Sequence, residues 1–269
     1  MSAVPTHYGE AQSRRYDVDF RALFGGPDRG DIGFFKAEAM RTEGAICEVG
    51  AGTGRVLMAL GGVTGSRRLV GVEPSPWMRA GFEKNLREGS AELAGRVEVK
   101  DGEFGKIPLG DGELGFVFAA FRSFQHVLEV DEQVAALLEM RRVLRPGGRL
   151  ALDAFDPPYG ILADTPERLG KRYRLADGAL VSRYESRRLV REKQRVDVTL
   201  RWTETRRVGR RLVEVATERE TYGVRYVFPF ELLHLVARAG FVEVELFGAY
   251  DRTPLTSVPR ELIVTARRP

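Results

Sequence analysis

The chain has 269 residues, enough for one large domain with a sizeable core, and 43% of them are hydrophobic and 30% charged, as in ordinary globular proteins. The N-terminal stretch lacks the apolar centre of a signal peptide, and no apolar run approaches the roughly 20 residues that span a bilayer. We therefore predict a cytoplasmic protein without membrane association. The single cysteine, Cys47, excludes an internal disulfide, and its apolar surroundings AICEVG predict a buried structural thiol.

The net charge of +4 is modest, but basic residues are concentrated in one segment. Residues 171–225 contain sixteen Lys or Arg residues and only eight Asp or Glu residues. Such a surplus suits an anionic partner, including nucleic acid. Acidic residues are interleaved throughout and aromatic stacking residues are few, so the pattern favours a solvated sheet face and makes nucleic acid an unlikely partner.

The predicted elements alternate in the manner of an α/β fold. An N-terminal arm and a helix ending near Thr42 come first. Five strands then alternate with helices, and their sequences are AICEVG, RRLVGVE, RVEVK, ELGFVFAAF and RPGGRLALDAF. This order predicts a parallel sheet with right-handed crossovers.

The pattern changes after the fifth strand. In RVDVTLRWTE, residues 195–204, apolar and polar residues alternate as in a strand with one buried face. RRVGRR then reads as a hairpin turn leading to LVEVATERETY. We predict an antiparallel β layer at 158–223, inserted into a core domain formed by 1–157 and 224–269. One helix and two strands close the chain.

A glycine loop follows the first strand. EVGAGTGR places Gly50, Gly52 and Gly54 in a tight turn from strand to helix, where the backbone can approach a ligand closely. The spacing is not that of the dinucleotide fingerprint, because Arg55 stands where a small residue belongs. Glu48 precedes the loop. A glycine turn of this kind is often purely structural, so the loop alone is weak support for ligand binding.

Two further strand ends carry acidic residues. Glu73 ends the second strand, where a carboxylate can accept hydrogen bonds from both hydroxyls of a ribose; a solvated surface glutamate is the alternative. After the third strand, Gly102, Glu103 and Phe104 can frame an adenine, with the carboxylate accepting from the exocyclic amine. RVLRPGGRL then leads into the fifth strand.

In this order, Glu48 with the glycine loop, Glu73, Gly102–Glu103 and Pro146-Gly147-Gly148 resemble the motifs of class I S-adenosylmethionine-dependent methyltransferases. The resemblance is close over 46–156 and looser over 226–268. It implies a Rossmann-like, seven-stranded, mostly parallel sheet with helices on both faces, and S-adenosylmethionine across the C-terminal ends of the strands. No cluster of His, Cys and carboxylates at ligand spacing indicates a metal site.

The resemblance also implies roles in cofactor binding. The glycine loop would cradle the methionyl part, Glu48 would help to hold its ammonium, and Glu73 would bind its ribose. Most relatives have Asp where Glu103 stands, which makes the neighbouring Asp101 an alternative for the adenine. The other residues expected at the cofactor are Tyr16, Ala51, Pro74, Phe104, Ala119 and Phe121. Tyr16 belongs to RRYDVDF, which resembles a Tyr-Asp segment that folds over the cofactor, although helix packing explains it too.

AFRSFQHVLEVDE, after the fourth strand, resembles a segment of small-molecule methyltransferases, including amino-sugar N-methyltransferases, that borders the methyl-transfer site. The likeness implies that His126 is a general base or hydrogen-bonding group, for which a near-neutral pKa is suitable; local packing explains it equally well. Tyr16 is the second catalytic candidate. Arg122 is a candidate anchor for a substrate carboxylate or phosphate, unless it is simply exposed. Gln125, Asp156 and Tyr159 are also expected at the acceptor pocket.

Residues 156–159 read Asp-Pro-Pro-Tyr, which resembles a signature of methyltransferases that modify amino nitrogens. Those enzymes carry the tetrapeptide after the fourth strand, whereas here it follows the fifth. We therefore expect Pro157 and Pro158 to end the strand and begin the insert, while Asp156 and Tyr159 line the acceptor pocket.

These features predict an S-adenosylmethionine-dependent methyltransferase that acts on a small molecule, at nitrogen rather than oxygen, by in-line displacement at the sulfonium methyl. They are compatible with a monomer or a homodimer. Two alternatives stay open: an RNA methyltransferase that uses the basic segment, and a cofactor-binding scaffold of the same fold without turnover.

Overall fold

The fold is given by a computed structural model that describes residues 7–158, 162–258 and 261–269. The helices are α1 Glu10–Phe24, α2 Asp31–Met40, α3 Arg55–Leu60, α4 Pro76–Glu88, α5 Ala91–Ala94, α6 Val130–Val143 and α7 Pro229–Arg238. The strands are β1 Ala45–Val49, β2 Leu69–Val72, β3 Val97–Lys100, β4 Leu114–Ala119, β5 Leu144–Phe155, β6 Thr165–Arg174, β7 Leu180–Val190, β8 Arg195–Val208, β9 Arg211–Arg225, β10 Val242–Phe247 and β11 Glu261–Arg267.

Seven strands form one sheet in the order β10-β11-β5-β4-β1-β2-β3. The pairs among β1 to β5 are parallel, and β11 runs antiparallel to both β5 and β10. The prediction of a seven-stranded, mostly parallel Rossmann-like sheet with a closing antiparallel pair is therefore confirmed.

The sheet is central because its middle strands are apolar on both faces. In β4, Phe116 and Phe118 pack on the side of α2 and α3, whereas Val117 and Ala119 pack with α6 and α7. Alternate residues of a strand point to opposite faces, so a continuous apolar run is what a strand covered on both sides requires. Cys47 lies in the same buried layer, as expected.

A second, antiparallel sheet has the order β6-β7-β8-β9. The alternation in β8 buries Val196, Val198, Leu200 and Trp202, and Gly209 lies in the turn between β8 and β9. The edge strand β6 has no such alternation and is largely exposed, which explains why its sequence does not signal a strand. The division into domains at 158 and 223 stays a prediction.

Helix α1 contacts the second sheet through a buried carboxylate. Asp19 accepts hydrogen bonds from Trp202 Nε1 at 2.7 Å and from the Tyr173 hydroxyl at 2.5 Å. Arg15 of the same helix pairs with Glu218 of β9 at 2.7 Å. These contacts hold α1 against the second sheet, and α1 also packs on α4 beside the main sheet.

The described ranges contain no helix that is both long and apolar enough to cross a bilayer. The cytoplasmic location and the monomeric or homodimeric state stay predictions from the sequence.

Gly115 in β4 lies close to the backbone of Glu43, and this close approach gives a stability prediction. A Cβ at Gly115 would lie 1.6 Å from the carbonyl oxygen of Glu43, and backbone atoms cannot swing aside as a side chain can. We expect Gly115→Ala to lower the free energy of unfolding by about 3 kcal/mol, the upper range for overpacking. Urea denaturation measures this difference.

The matched control is Gly33→Ala in α2, where a new Cβ meets no atom within 4 Å. Alanine favours a helix over glycine by roughly 0.5–1 kcal/mol, so this variant should be unchanged or slightly more stable. Equal stability of the two variants would contradict the close approach of β4 to residue 43.

Candidate active site

Two adjoining cavities lie at the C-terminal ends of the central strands. The first, about 340 Å³, is lined by the glycine loop and by residues that follow β2, β3 and β4. The second, about 480 Å³, lies between α1, the end of β5 and the second sheet. Four residues line both cavities: Tyr8, Tyr16, Phe121 and His126. These side chains therefore mark the junction between the two spaces.

The glycine loop forms the floor of the first cavity. Gly50, Gly52 and Gly54 have φ values of 72°, 56° and 83°, in the left-handed region that favours glycine. A Cβ at Gly52 would meet no protein atom within 4 Å, so this glycine leaves open space beside the loop. Gly54 differs, because its added Cβ would lie 2.1 Å from the Phe82 ring. It is therefore a packing glycine that does not line the cavity.

Glu73 joins the loop to the end of β2. One carboxylate oxygen accepts from the Gly52 N–H and the other from the Ser75 N–H, each at 2.9 Å. The side chain is buried but lines the cavity, and burial raises its pKa while the two N–H groups oppose that rise. The carboxylate keeps further lone pairs for ligand hydroxyls. Its position fits the expected ribose contact.

Glu48 is buried at the other side of the loop. Its Oε2 accepts from the Leu57 N–H at 2.9 Å, and burial raises its pKa to about 8. Burial thus favours the protonated form of this carboxyl. A ligand ammonium close by would favour the ionised form, because opposite charges lower a carboxyl pKa. The residue lines the first cavity, as the ammonium prediction requires.

The loop has two further supports that the sequence did not reveal. Asp17, next to Tyr16 in α1, accepts from Thr53 Oγ1 at 2.7 Å and from Asn85 Nδ2 at 3.0 Å. Arg55 lines the first cavity and pairs with Asp31 at 2.5 Å. In the sequence it is notable only because it breaks the dinucleotide-binding fingerprint. These partners are distant in sequence, so spacing carries no signal for them.

Among the residues expected near the adenine, Glu103, Phe104, Pro74 and Ala51 line the first cavity. Asp101 is not there: its side chain is 76% exposed and pairs with Arg79 at 2.8 Å. Gly102 does not line the cavity either, because it packs against Pro108 and Val72. Asp101 therefore does not fit the alternative role at the adenine, and Glu103 is the carboxylate that lines the first cavity.

Two residues predicted at the site after β4 do not line either cavity. Ala119 is buried in the core, and Gln125 is fully buried without lining either cavity. Gln125 instead donates to the Arg225 carbonyl and accepts from the Phe155 N–H, both at 3.0 Å. The cause is local: Phe121 and Arg122 have φ values of 55° and 65°, which turn the chain into a 3₁₀ turn and direct Gln125 inward.

Arg122 lines the second cavity, but its charge is already paired. Its Nη2 donates to Glu261 Oε1 at 2.6 Å, and its guanidinium lies 5.5 Å from the centroid of the Phe155 ring. A substrate anion would have to compete with Glu261 for it. Asp156 also lines the second cavity, and burial raises the pKa of its carboxyl. Tyr159 lies outside the described residues.

His126 stands at the junction, as expected for a residue near the transferred group. Its ring hydrogen-bonds to the backbone of Gly223, whereas Nδ1 is buried and has no partner in the described part of the chain. Burial lowers its pKa to about 4, in contrast to the near-neutral value expected. The imidazole is consequently neutral at pH 7, with Nδ1 as a free acceptor. The neighbouring Tyr8 belongs to no sequence motif, so the sequence does not predict its position beside His126.

The first cavity lies over a glycine loop at the carboxyl edge of this sheet, and the Glu73 carboxylate that follows β2 can accept hydrogen bonds from ribose hydroxyls. This combination is that of a class I S-adenosylmethionine-dependent methyltransferase. The family model for a methyltransferase domain matches residues 46–148. A demethylmenaquinone methyltransferase of Deinococcus radiodurans is 33% identical over 170 residues, 62% of this chain and 67% of that protein. The ubiquinone/menaquinone biosynthesis C-methyltransferase UbiE of Pseudomonas putida is 29% identical over 148 residues, 54% of this chain and 55% of that protein. The chain belongs to the S-adenosylmethionine-dependent methyltransferase family, which confirms the resemblance seen in its motifs.

Solved structures share the fold over nearly the whole chain. The CcbJ methyltransferase from Streptomyces caelestis has a TM-score of 0.73 at 24% identity and covers 98% of this chain and 99% of its own. The sugar N-methyltransferase KedS8 from Streptoalloteichus also has a TM-score of 0.73, at 20% identity, and covers 100% and 98%. The second sheet is therefore part of a fold found in other methyltransferases.

The contrast between Glu73 and Asp101 gives a binding prediction. We expect Glu73→Gln to weaken S-adenosylmethionine binding at least about tenfold, because charged hydrogen bonds contribute roughly 1.5–3 kcal/mol. Asp101→Asn should bind as the unaltered protein does. Titration calorimetry measures both affinities, and thermal unfolding shows whether Glu73→Gln still folds. Loss of affinity in Asp101→Asn alone would refute the ribose assignment.

Proposed function

We propose that this methyltransferase transfers a methyl group to an amine nitrogen of a small molecule. The observation that carries the proposal is the second cavity, which meets the first at Tyr8, Tyr16 and His126. A volume of about 480 Å³ is within the range of small-molecule sites. An acceptor held there has its reactive atom at the junction, next to the methionyl end of the first cavity.

The cofactor, when bound, supplies a methyl group on an electrophilic sulfonium. The protein then has to hold the acceptor in line and keep water away, which by itself supplies much of the rate acceleration. The lone pair of a neutral amine forms the new N–C bond while the C–S bond breaks and its electron pair stays on sulfur. The resulting ammonium afterwards releases a proton to water.

His126 favours nitrogen over oxygen as the acceptor. An alcohol has to lose its proton as it reacts, and an imidazole with a pKa of about 4 is a weak base for that task. A neutral amine needs no such base. His126 borders the junction and its Nδ1 has no partner among the described residues, so we infer that a rotation of the ring would let Nδ1 accept one N–H of the amine and direct the nitrogen lone pair at the methyl group. We infer an orienting hydrogen bond rather than general-base catalysis.

The walls of the second cavity suit an organic molecule with few charges. Val196, Val198 and Leu200 of β8 form an apolar wall. Among the described residues, three arginines and three carboxylates also line the second cavity. The arginines are Arg122, Arg183 and Arg187, and the carboxylates are Asp19, Asp156 and Glu185. The surroundings are therefore close to electrically neutral.

Ion pairs reduce the positive field of the basic segment, which weakens the case for RNA as the acceptor. Seven of its sixteen basic residues lie beside carboxylates; they are Arg183, Arg187, Lys193, Arg195, Arg201, Arg206 and Arg225. Paired charges attract polyanions weakly, since their fields largely cancel. Binding of RNA with a steep salt dependence would support this alternative.

The function is tested by incubating the enzyme with methyl-labelled S-adenosylmethionine and a fractionated metabolite extract. We expect label in compounds that carry an N-methyl group, identified by mass spectrometry. Label only in methyl ethers, in carbon-bound methyl groups or in RNA would contradict the proposal. A complete lack of transfer from every fraction would favour the scaffold alternative.

The role of His126 is tested by two substitutions. His126→Phe keeps a ring but removes the acceptor atom, and we expect kcat with the amine to fall about tenfold, the worth of one hydrogen bond. His126→Asn places an amide oxygen near the position of Nδ1 and should retain more activity. S-adenosylmethionine affinity should be unchanged in both variants. Equal activity of the two variants would rule out the hydrogen bond.

A further inference from the structure

Aromatic rings from separate parts of the chain meet at the junction of the cavities. Tyr8 precedes α1, His126 follows β4, and Tyr222 lies in β9. The ring centroids of Tyr8 lie 5.1 Å from His126 and 5.0 Å from Tyr222, and those of His126 and Tyr222 are 5.5 Å apart. Tyr16 of α1 lies 5.9 Å from Tyr8. We call these four residues the aromatic cluster.

The cluster borders open space. All four residues line the second cavity, and Tyr8, Tyr16 and His126 also line the first. Tyr8 meets His126 at 88° and Tyr222 at 74°, so the rings are not stacked and present faces in different directions. A group placed against the cluster can lie within about 6 Å of several ring centroids, the range in which a ring face attracts a cation.

The arginines that line the second cavity near the cluster are already paired with carboxylates. Arg183 lies 3.2 Å from Glu185 and 3.7 Å from Asp19, and Arg187 lies 2.6 Å from Glu185. Arg122 is paired with Glu261, as described above. Burial raises the pKa of Tyr222 to about 12, so its ring is an uncharged phenol. The ring faces are then uncharged surfaces that attract positive charge.

We infer that the aromatic cluster binds the positively charged nitrogen that methyl transfer produces. The inference rests on the proposed amine acceptor, because only there does positive charge move from sulfur to the acceptor atom. Charge that develops on nitrogen is attracted to the rings as the N–C bond forms, whereas a neutral ether product gains nothing from them. The cluster thus favours the reaction at nitrogen and suits alkylammonium ligands in general.

The test compares two ligands of the same shape, choline and its uncharged analogue 3,3-dimethylbutan-1-ol. Calorimetry measures their binding to the protein saturated with S-adenosylhomocysteine, which carries no sulfonium. We expect choline to bind at least about fivefold more tightly, as cation–π contacts allow. Tyr222→Phe keeps the ring and should keep this ratio, whereas Tyr222→Leu and Tyr8→Leu should bring it close to one.

Equal binding of the two ligands to the unaltered protein would overturn the inference. Competition between choline and S-adenosylhomocysteine would also overturn the inference, because the rings would then border the binding site of the cofactor sulfonium. The proposed function is tested separately by labelled methyl transfer. Amine methylation without choline selectivity would reject the cluster alone, and choline selectivity without any N-methyl product would reject the amine acceptor. Retained selectivity in Tyr222→Leu and Tyr8→Leu, with normal thermal unfolding, would also reject the assignment to these rings.

Discussion

The active site depends on how the loop between β1 and α3 is held. Its three glycines adopt left-handed backbone conformations, and two carboxylates from elsewhere tie it down: Glu73 accepts from the Gly52 N–H, and Asp17 accepts from Thr53. The first carboxylate directly follows β2, and the second belongs to α1. The loop is therefore positioned by the sheet below it and the helix beside it together, and the first cavity is built on this arrangement.

The second cavity has a different origin. It exists because Asp19 holds α1 against β6 and β8 through Tyr173 and Trp202, so that the second sheet faces the carboxyl edge of the first. Residues from four parts of the chain then meet as the aromatic cluster: the segment before α1, α1 itself, the turn after β4 and β9. The two cavities thus rely on different contacts of the same helix.

The tetrapeptide Asp-Pro-Pro-Tyr shows how strand order limits the use of a motif. It follows β5 rather than β4, and the described part of it contributes Asp156 and Pro158 to the wall of the second cavity. Two of the residues at the junction, Phe121 and His126, come instead from the segment after β4. Two consecutive left-handed residues, Phe121 and Arg122, set the direction of that segment. This is also why His126 faces the junction while Gln125, one residue earlier, is buried.

The sheet and the glycine loop could be predicted from the sequence, because apolar runs, period-two alternation and glycine spacing are local patterns. The resemblance of the motifs to those of methyltransferases also pointed to Glu48, Glu73 and Glu103, which line the first cavity. Other features depend on the folded chain: Asp101 faces solvent, Gln125 is internal, burial lowers the pKa of His126, and Tyr8 and Tyr222 contact His126. Burial, ion pairing and ring contacts arise between residues far apart in the chain, and no local pattern encodes them.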